Sequence, residues 1–291
     1  EGEEQQENKQ ALEKLVNNIY ENDLNCDLNQ CSSRKMQVFQ RIPQNLLNEK
    51  RERIFLDFST LVLEEAIPKW SLKLLLKGFE HDSVTTEIVD EECLLDYCVG
   101  VASSIGIICT FLYGGNIKKD TLTRAASLGI AMQLTNISRD IIADARLGRT
   151  YIPNTWFHME SIERDAFIPK AATTKDTITD SDTPVLSFAN SIISKAESYY
   201  SEAWEGISCL PPSVRLAVAS ALLIYRDIGI GITNASQYPE RARTTLLRKI
   251  YLTFAACVYL VTDSKPRFNS SADGNIEDIF QRNVSSVQSP L

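Results

Sequence analysis

Residues 133–153 read QLTNISRDIIADARLGRTYIP, and the spacing of their polar side chains guides the interpretation of the whole chain. Asp140 and Asp144 are four residues apart, so on a helix they project from one face with their Cβ atoms about 6 Å apart. Gln133 and Asn136 continue that face at spacings of three and four residues. Isoleucines interleave with these polar residues, so the surroundings are not those of a simple solvated helix face.

This arrangement is typical of a site for a hard cation and a diphosphate. Carboxylate oxygens one turn apart can bind Mg²⁺, or alternatively Mn²⁺, and Mg²⁺ keeps positions open for water and substrate phosphates. Arg139, Arg146 and Arg149 supply guanidinium groups suited to phosphate oxygens. No Ser–His–Asp or Cys–His arrangement can be built near the run, so a nucleophile site is not indicated. A lone aspartate pair would more often be a solvated face, so the prediction depends on the whole run.

Composition and charge exclude several classes of protein. The 291 residues are 44% hydrophobic and 23% charged, which is typical of a globular chain with ample core material. A net charge of −8 is a poor match for the nucleic-acid backbone. Two histidines, His81 and His158, are too few for a His-rich metal site. The seven scattered cysteines predict reduced, buried thiols in an intracellular protein.

Hydrophobic periodicity predicts one all-α domain of eight or more helices over residues 1–262, followed by a mobile polar tail at 263–291. Asp90 is a predicted N-cap, and Gly78 and Gly148 are predicted helix stops. The uncharged stretch Tyr97–Ile117 contains many small and polar residues, which favours a buried helix over a membrane span. The predicted helices cover residues 11–20, 50–67, 70–78, 91–113, 121–147, 184–207, 211–233 and 241–261, with a polar loop at 171–184.

The run at 133–153 resembles the second aspartate-rich motif of the squalene/phytoene synthase family, Q-x-x-N-x-x-R-D-x-x-x-D-A-R-x-G-R-x-Y-x-P. Residues 97–106, YCVGVASSIG, are similar to the family's Y-C-x-x-V-A-G-x-x-G helix, and residues 78–82 to its G-x-x-x-D element. Residues 225–229 and 238–242 are similar to its paired tyrosine and arginine elements.

The resemblance covers roughly residues 5–260 and implies a fold and an activity. The fold would be an isoprenoid-synthase-type helical bundle around a central cavity. The amino-acid sequence of residues 136–157 looks most like the phytoene synthase domain of fungal-type bifunctional chains, which carry a membrane lycopene-cyclase domain upstream. The implied reaction is a Mg²⁺-dependent head-to-head condensation of two geranylgeranyl diphosphates to phytoene, through prephytoene diphosphate. A squalene or dehydrosqualene synthase using farnesyl diphosphate, and a non-catalytic scaffold or assembly factor, remain as alternatives.

The family's site residues carry over position by position as what the resemblance implies. Asp140 and Asp144 would be catalytic and would hold Mg²⁺, with Asp82 as a weaker third metal ligand. Tyr97 would be catalytic and lie beside the reacting carbons. The residues that would meet the diphosphate are Gln133, Asn136, Arg139, Arg149, Tyr225 and Arg241.

Two features depart from the family pattern. The first aspartate-rich motif, D-D-x-x-D, is not found upstream of residues 11–20, and Asp23 and Asp27 share only a D-x-x-x-D spacing in a predicted loop. We therefore expect that the sequence begins just past that motif, without the amino-terminal helices, and that this chain alone is inactive. Ser103 replaces a glycine and is expected to narrow the cavity slightly. The apolar substrate and product favour an intracellular protein that contacts a membrane peripherally or through upstream sequence.

Overall fold

A computed structural model describes residues 10, 13, 14, 16, 17, 49–83, 87–114, 117–160, 163, 164, 166, 167, 185–239, 242–269 and 276–288. The elements formed by these residues are helices, which confirms the predicted all-α class. In chain order they are α1 (Glu49–Glu64), α2 (Lys69–Ser83), α3 (Glu91–Cys98), α4 (Ser104–Tyr113), α5 (Lys119–Arg146), α6 (Asn154–Met159), α7 (Val185–Gly206), α8 (Pro212–Thr233), α9 (Leu246–Val261) and α10 (Ile276–Gln288). A π-helical turn, Val99–Ser103, joins α3 to α4, and a 3₁₀ turn, Ile207–Cys209, follows α7.

Helix α5 is the central element of the fold. It makes its most extensive contacts with α7 and also packs against α4, α8 and the π-helical turn. Its buried apolar side chains follow spacings of three and four residues, as one helix face requires. They include Ala126, Ile130, Leu134, Ile137 and Ile141. Packing on this face leaves the adjacent faces of α5 to carry the polar residues of the 133–153 run.

Two predicted helix boundaries set the positions of site residues. Asp90 caps α3, because its side chain accepts a hydrogen bond of 2.9 Å from the Cys93 amide. Gly148 follows the end of α5 with a φ of +72°, a conformation that glycine adopts without strain. Both predictions are confirmed. By contrast, α9 begins at Leu246, where Thr245 is the N-cap, and not at residue 241.

Gly78 does not end a helix, as the sequence suggested, because α2 continues through it to Ser83. Its role is a close crossing of α2 over the π-helical turn. A Cβ atom at Gly78 would lie 2.6 Å from the carbonyl carbon of Gly100 and 2.8 Å from the Val101 nitrogen. Neither backbone atom can move aside cheaply, so a glycine is required where the two segments meet.

Ser103 faces α5 and is absent from the cavity lining, so the expected narrowing of the cavity is wrong. Its hydroxyl donates a 2.7 Å hydrogen bond to the Ala126 carbonyl oxygen. The backbone of Ser103 also lies against Gly129, where a Cβ atom would come within 2.5 Å of the Ser103 Cα. The substitution therefore adds a contact between the π-helical turn and α5.

The expected mobile tail contains an ordered helix, α10. Its Ile279 and Phe280 side chains are buried, and the Phe280 ring meets the edge of Trp70 at 6.1 Å between centroids. Asn283 donates a 2.7 Å hydrogen bond to Asp96 on α3. The Ser- and Asn-rich composition of the segment concealed an amphipathic spacing, formed by Ile276, Ile279, Phe280, Asn283 and Val284.

Several apolar side chains of α9 are exposed, although its Leu252 and Ala256 are buried. The exposed ones are Leu246, Leu247, Ile250, Tyr251, Phe254, Val258 and Val261. Two other segments, residues 91–113 and α8, are long and apolar enough to cross a membrane by length and composition alone. The first is mostly buried in the fold, as predicted for a core helix.

Some predictions fall on parts of the chain outside the described residues. The predicted helix at 11–20 is described at residues 13, 14, 16 and 17, which are helical, with Val16 buried. The predicted loop at 171–184 and the Asp23–Asp27 spacing are not described.

The glycine crossing predicts opposite effects for two glycine-to-alanine changes. Gly78→Ala should destabilise the fold by about 1–3 kcal/mol, because the new methyl group overlaps backbone atoms. Gly231→Ala in α8 is the matched control, since a Cβ atom at this position would have no neighbour within 4 Å. That change should be neutral or stabilise by up to about 1 kcal/mol. Denaturant unfolding measures both, and a Gly78→Ala protein as stable as the wild type would contradict the crossing.

Candidate active site

The polar residues predicted to share one face of α5 do so. Gln133, Asn136, Asp140 and Asp144 are all partly buried along this face. The Asn136 amide nitrogen lies 3.4 Å from the Gln133 side-chain oxygen, a distance at the long end for a hydrogen bond. The two amides therefore interact only weakly, and each can still form a hydrogen bond with another group.

Asp140 is paired with its neighbour in sequence, Arg139. The Arg139 Nε donates to one carboxylate oxygen at 2.9 Å, and Nη2 donates to the other at 2.5 Å. This bidentate pair raises the pKa of the Arg139 guanidinium, and the nearby Tyr225 and Tyr238 phenols act in the same direction. Arg139 therefore stays charged at the surface of the site, where its charge partly offsets that of Asp140.

Asp144 lies in a less balanced environment. Its pKa is raised to about 6, first by burial and then by the charge of Asp140, with a further contribution from Asp82. Arg149 and Arg139 act in the opposite direction but do not cancel the effect. Burial and the neighbouring carboxylates therefore disfavour the ionised form of Asp144, which a bound cation would stabilise.

The end of α5 places Arg149 beside this carboxylate. After the turn at Gly148, the Arg149 amide donates a 2.9 Å hydrogen bond back to the Asp144 carbonyl oxygen. The Arg149 side chain is exposed, and its charge lowers the pKa of Asp144. Arg149, a predicted partner of the diphosphate, thus lies at the edge of the group that contains Asp140 and Asp144.

The donor set fits Mg²⁺ that is shared with a phosphate ligand. Within the described ranges, no group of three or more His, Cys, Asp or Glu side chains forms a metal cage. Mg²⁺ is commonly held by one or two carboxylates together with waters and substrate phosphates. Asp140 and Asp144 supply two such carboxylates on adjacent turns, and Asp144 carries charge that the protein leaves uncompensated.

Tyr97 lies beside Tyr151, a tyrosine of the motif at 133–153 that was given no role from the sequence. The Tyr97 hydroxyl donates to Asp82 Oδ1 at 2.9 Å, and the Tyr151 hydroxyl donates to the same oxygen at 3.1 Å. The two rings stack with centroids 4.9 Å apart and planes 18° apart. Tyr151 lies in the sequence GRTYIP at the end of the motif, and this position in the motif could have identified it as a site residue.

Two predicted site residues remain, and the structure describes Tyr225 but not Arg241. Tyr225 on α8 is partly buried near Arg139. Tyr238, which begins the second tyrosine and arginine element and was given no role from the sequence, is buried and donates a 2.7 Å hydrogen bond to the Ser138 carbonyl oxygen of α5. It attaches the segment after α8 to the site. Arg241 lies outside the described residues.

Next to the polar group along α5 lies an apolar cavity of about 430 Å³, which Met132, the neighbour of Gln133 in sequence, helps to line. Three helical segments each carry a cavity-lining residue one turn from a residue of the polar group. Val101 follows Tyr97 by one turn, Met132 precedes Asn136 by one turn, and Ala221 precedes Tyr225 by one turn. The cavity wall includes Val101, Ile105, Leu128, Met132, Val218 and Ala221.

The cavity is long as well as apolar. Between Met132 and Thr121, both of which line it, α5 rises about 16 Å at about 1.5 Å per residue. Arg124 also lines it, but its guanidinium is engaged by Asp120 at 3.0 Å and by the Glu202 carbonyl oxygen at 3.3 Å. The site is therefore amphipathic, with charged groups at one end and a deep apolar chamber below them.

Comparisons with known proteins agree with this geometry. A family model described as Squalene/phytoene synthase matches residues 3–248. The chain is 34% identical over 205 residues to the "Bifunctional lycopene cyclase/phytoene synthase" of Phycomyces blakesleeanus, covering 68% of this chain and 33% of that protein. It is 33% identical over 183 residues to the "15-cis-phytoene synthase" of Pantoea ananas, covering 62% of this chain and 56% of that protein. The chain thus spans a third to just over half of these relatives.

A solved structure shares the fold. The crystal structure of a dehydrosqualene synthase in complex with ligand superposes with a TM-score of 0.61 at 20% identity, covering 87% of this chain and 84% of that chain. At this identity the likeness concerns the fold alone. It supports the helical bundle around a cavity that the sequence resemblance implied.

The charge imbalance predicts that removing a site carboxylate stabilises the metal-free protein. Asp144→Asn should raise the free energy of unfolding by about 1 kcal/mol at pH 7.5, after discounting the pKa shift for partial exposure. The folded-state pKa of about 6 exceeds the ordinary 3.8, so ionisation of Asp144 lowers stability as the pH rises through this window. The gain should therefore shrink as the pH falls towards 4.5.

Thermal unfolding in the presence of a chelator measures this effect. A gain of about 2–4 °C is expected at pH 7.5 for a chain of this size. Asp263→Asn is the control, because Asp263 is exposed and its positive φ is one that asparagine tolerates. An Asp144→Asn protein that melts below the wild type at pH 7.5 would contradict the assigned repulsion.

Proposed function

The chain belongs to the squalene/phytoene synthase family, and from this premise we propose that it is a phytoene synthase. In this proposal it condenses two geranylgeranyl diphosphates head to head, forms prephytoene diphosphate, and rearranges it to phytoene in carotenoid biosynthesis. The observation that carries the proposal is the polar face of α5, from Gln133 to Asp144, together with an apolar cavity of about 430 Å³ that residues 121–132 of the same helix help to line. This arrangement matches a substrate with a diphosphate head and a long hydrocarbon tail.

The charged end would bind and activate the diphosphate. Mg²⁺ held by Asp140 and Asp144 would supply Lewis-acid stabilisation of the charge that develops on the leaving group. Arg139 and Arg149 would pair with phosphate oxygens, and the Gln133 and Asn136 amides would add neutral hydrogen bonds. Tyr225 and Arg241 are proposed as further diphosphate contacts.

The apolar end would hold the tails and protect the allylic cation. Departure of diphosphate leaves a cation that water would capture, so the walls around it have to exclude water. Val101, Leu128 and Met132 provide such a wall directly below the polar level. The stacked rings of Tyr97 and Tyr151 add aromatic surface, which attracts cations through its quadrupole.

Different observations argue against the two alternative functions, a squalene-type enzyme and a non-catalytic scaffold. The curated relatives that match at 33–34% identity are named as phytoene synthases, which favours a C20 substrate over the C15 substrate of a squalene-type enzyme. A scaffold without catalysis would have no need for Asp144, a partly buried carboxylate short of positive charge, one turn from Asp140. We also propose an intracellular protein that exchanges its apolar substrate and product at a membrane surface, within a longer polypeptide that includes a lycopene cyclase domain.

Incubation of the full-length protein with Mg²⁺ and either geranylgeranyl or farnesyl diphosphate tests the reaction. Phytoene should form from the C20 diphosphate, as identified by mass spectrometry of the hydrocarbon. Asp140→Asn should lower turnover at least tenfold through lost metal binding, while Asp263→Asn should retain it. A C30 hydrocarbon from farnesyl diphosphate alone would assign the squalene-type alternative, and no hydrocarbon from either substrate would favour the scaffold.

The cavity predicts a change of chain-length preference. One isoprene unit spans about 5 Å, from four bonds of about 1.5 Å, which is close to one helical turn. Ala125 lines the cavity near its far end, one turn from Thr121. Ala125→Phe should therefore lower kcat/KM at least tenfold for the C20 diphosphate and less for the C15 diphosphate. Ala125→Ser adds little volume and should behave as the wild type, whereas equal losses on both substrates would contradict the tail assignment.

A further inference from the structure

Asp82 is a candidate metal ligand by sequence, and its surroundings indicate a different role. We infer that Asp82 is the shared hydrogen-bond acceptor of Tyr97 and Tyr151, and that Asp82 and Tyr151 are positioning residues that orient Tyr97 at the reacting end of the cavity. This inference rests on the proposed function and gives a role to Tyr151, which is part of the motif at 133–153 but received no role from the sequence.

The packing of α2 against the π-helical turn after α3 brings Asp82 and Tyr97 together. The Gly78 crossing holds α2 against the π-helical turn at Gly100 and Val101. Asp82 lies one turn beyond Gly78 on α2, and Tyr97 lies one turn before Val101. The crossing therefore places the carboxylate beside the phenol through backbone packing, without depending on a loop.

Tyr151 is supplied by a different segment of the chain, the one that follows α5. It follows the turn at Gly148 that ends α5, and Ile152 after it is buried. Its ring stacks on Tyr97, and the His81 ring also contacts Tyr97 with centroids 4.8 Å apart. Two rings and one hydroxyl contact therefore restrict the Tyr97 side chain, which is itself 5% exposed.

Both phenol hydroxyls converge on one oxygen, Asp82 Oδ1, at 2.9 and 3.1 Å. Hydrogen bonds to an ionised acceptor are stronger than neutral ones and polarise the donors. Burial, together with these partners, raises the pKa of Tyr97, so its hydroxyl stays protonated as the donor. With their protons directed at Asp82, the tyrosines present electron-rich oxygen and ring surface to a developing cation.

A metal-binding measurement separates this role from metal ligation. Mn²⁺ binding in the presence of inorganic diphosphate, followed by electron paramagnetic resonance, needs no turnover. Asp82→Asn should bind Mn²⁺ within about twofold of the wild type, and Asp144→Asn should bind at least tenfold more weakly. If Asp82→Asn weakens Mn²⁺ binding as much as Asp144→Asn does, Asp82 is a metal ligand and the inference is overturned.

Kinetics of the full-length enzyme test the positioning of Tyr97. Tyr151→Phe keeps the ring and removes the hydroxyl, and should lower kcat about threefold to tenfold at saturating Mg²⁺. Asp82→Asn should lower kcat at least tenfold, with the apparent Mg²⁺ constant and the thermal unfolding midpoint unchanged. The double variant should be no slower than Asp82→Asn, because residues that act as a unit are not additive.

The outcomes distinguish this inference from the proposed function. Additive losses in the double variant, or a Tyr151→Phe enzyme as fast as the wild type, would overturn the shared role. Absence of any hydrocarbon from the wild type would refute the proposed function, while the Mn²⁺ measurement would still decide whether Asp82 is a metal ligand.

Discussion

The burial of Asp144 next to a second carboxylate, Asp140, at the carboxyl end of α5 is the constraint on which the site depends. Burying ionised groups close together is costly unless they are paired, and the protein pairs Asp140 with Arg139 while leaving Asp144 short of positive charge. The raised pKa of Asp144, about 6, records that cost. The extensive packing of α5 on α7 supplies the stability that holds the helix in place despite it.

The apolar chamber follows from the same helix. Along α5 the side chains change from carboxylates and amides to Met132, Leu128 and Ala125, and the segments carrying Tyr97 and Tyr225 contribute Val101 and Ala221 to the same cavity. An amphipathic ligand would be aligned by this agreement alone, since its charged head and apolar tail match opposite ends. Binding would then bring the reacting carbons to the boundary, where the tyrosine stack lies.

The predictable part of the structure was local. Spacing within one helix placed Asp140 and Asp144 on one face, and cap chemistry located Asp90 and Gly148. Features that depend on partners far along the chain were missed. Gly78 looked like a helix stop because sequence does not show what crosses it, and Tyr151 is 69 residues away from its acceptor Asp82. Helix α10 was hidden by a polar composition, because its apolar face is recognisable only from its packing against α2, α5 and α3.

The most direct measurement is a crystal structure of the full-length protein with Mg²⁺ and a non-hydrolysable thio analogue of geranylgeranyl diphosphate. The account predicts metal density on Asp140 and Asp144, diphosphate oxygens within reach of Arg139 and Arg149, and the tail along Met132 and Leu128. Asp82 should remain bound to both tyrosines. A diphosphate bound away from α5, or a tail outside the cavity, would contradict the central claim.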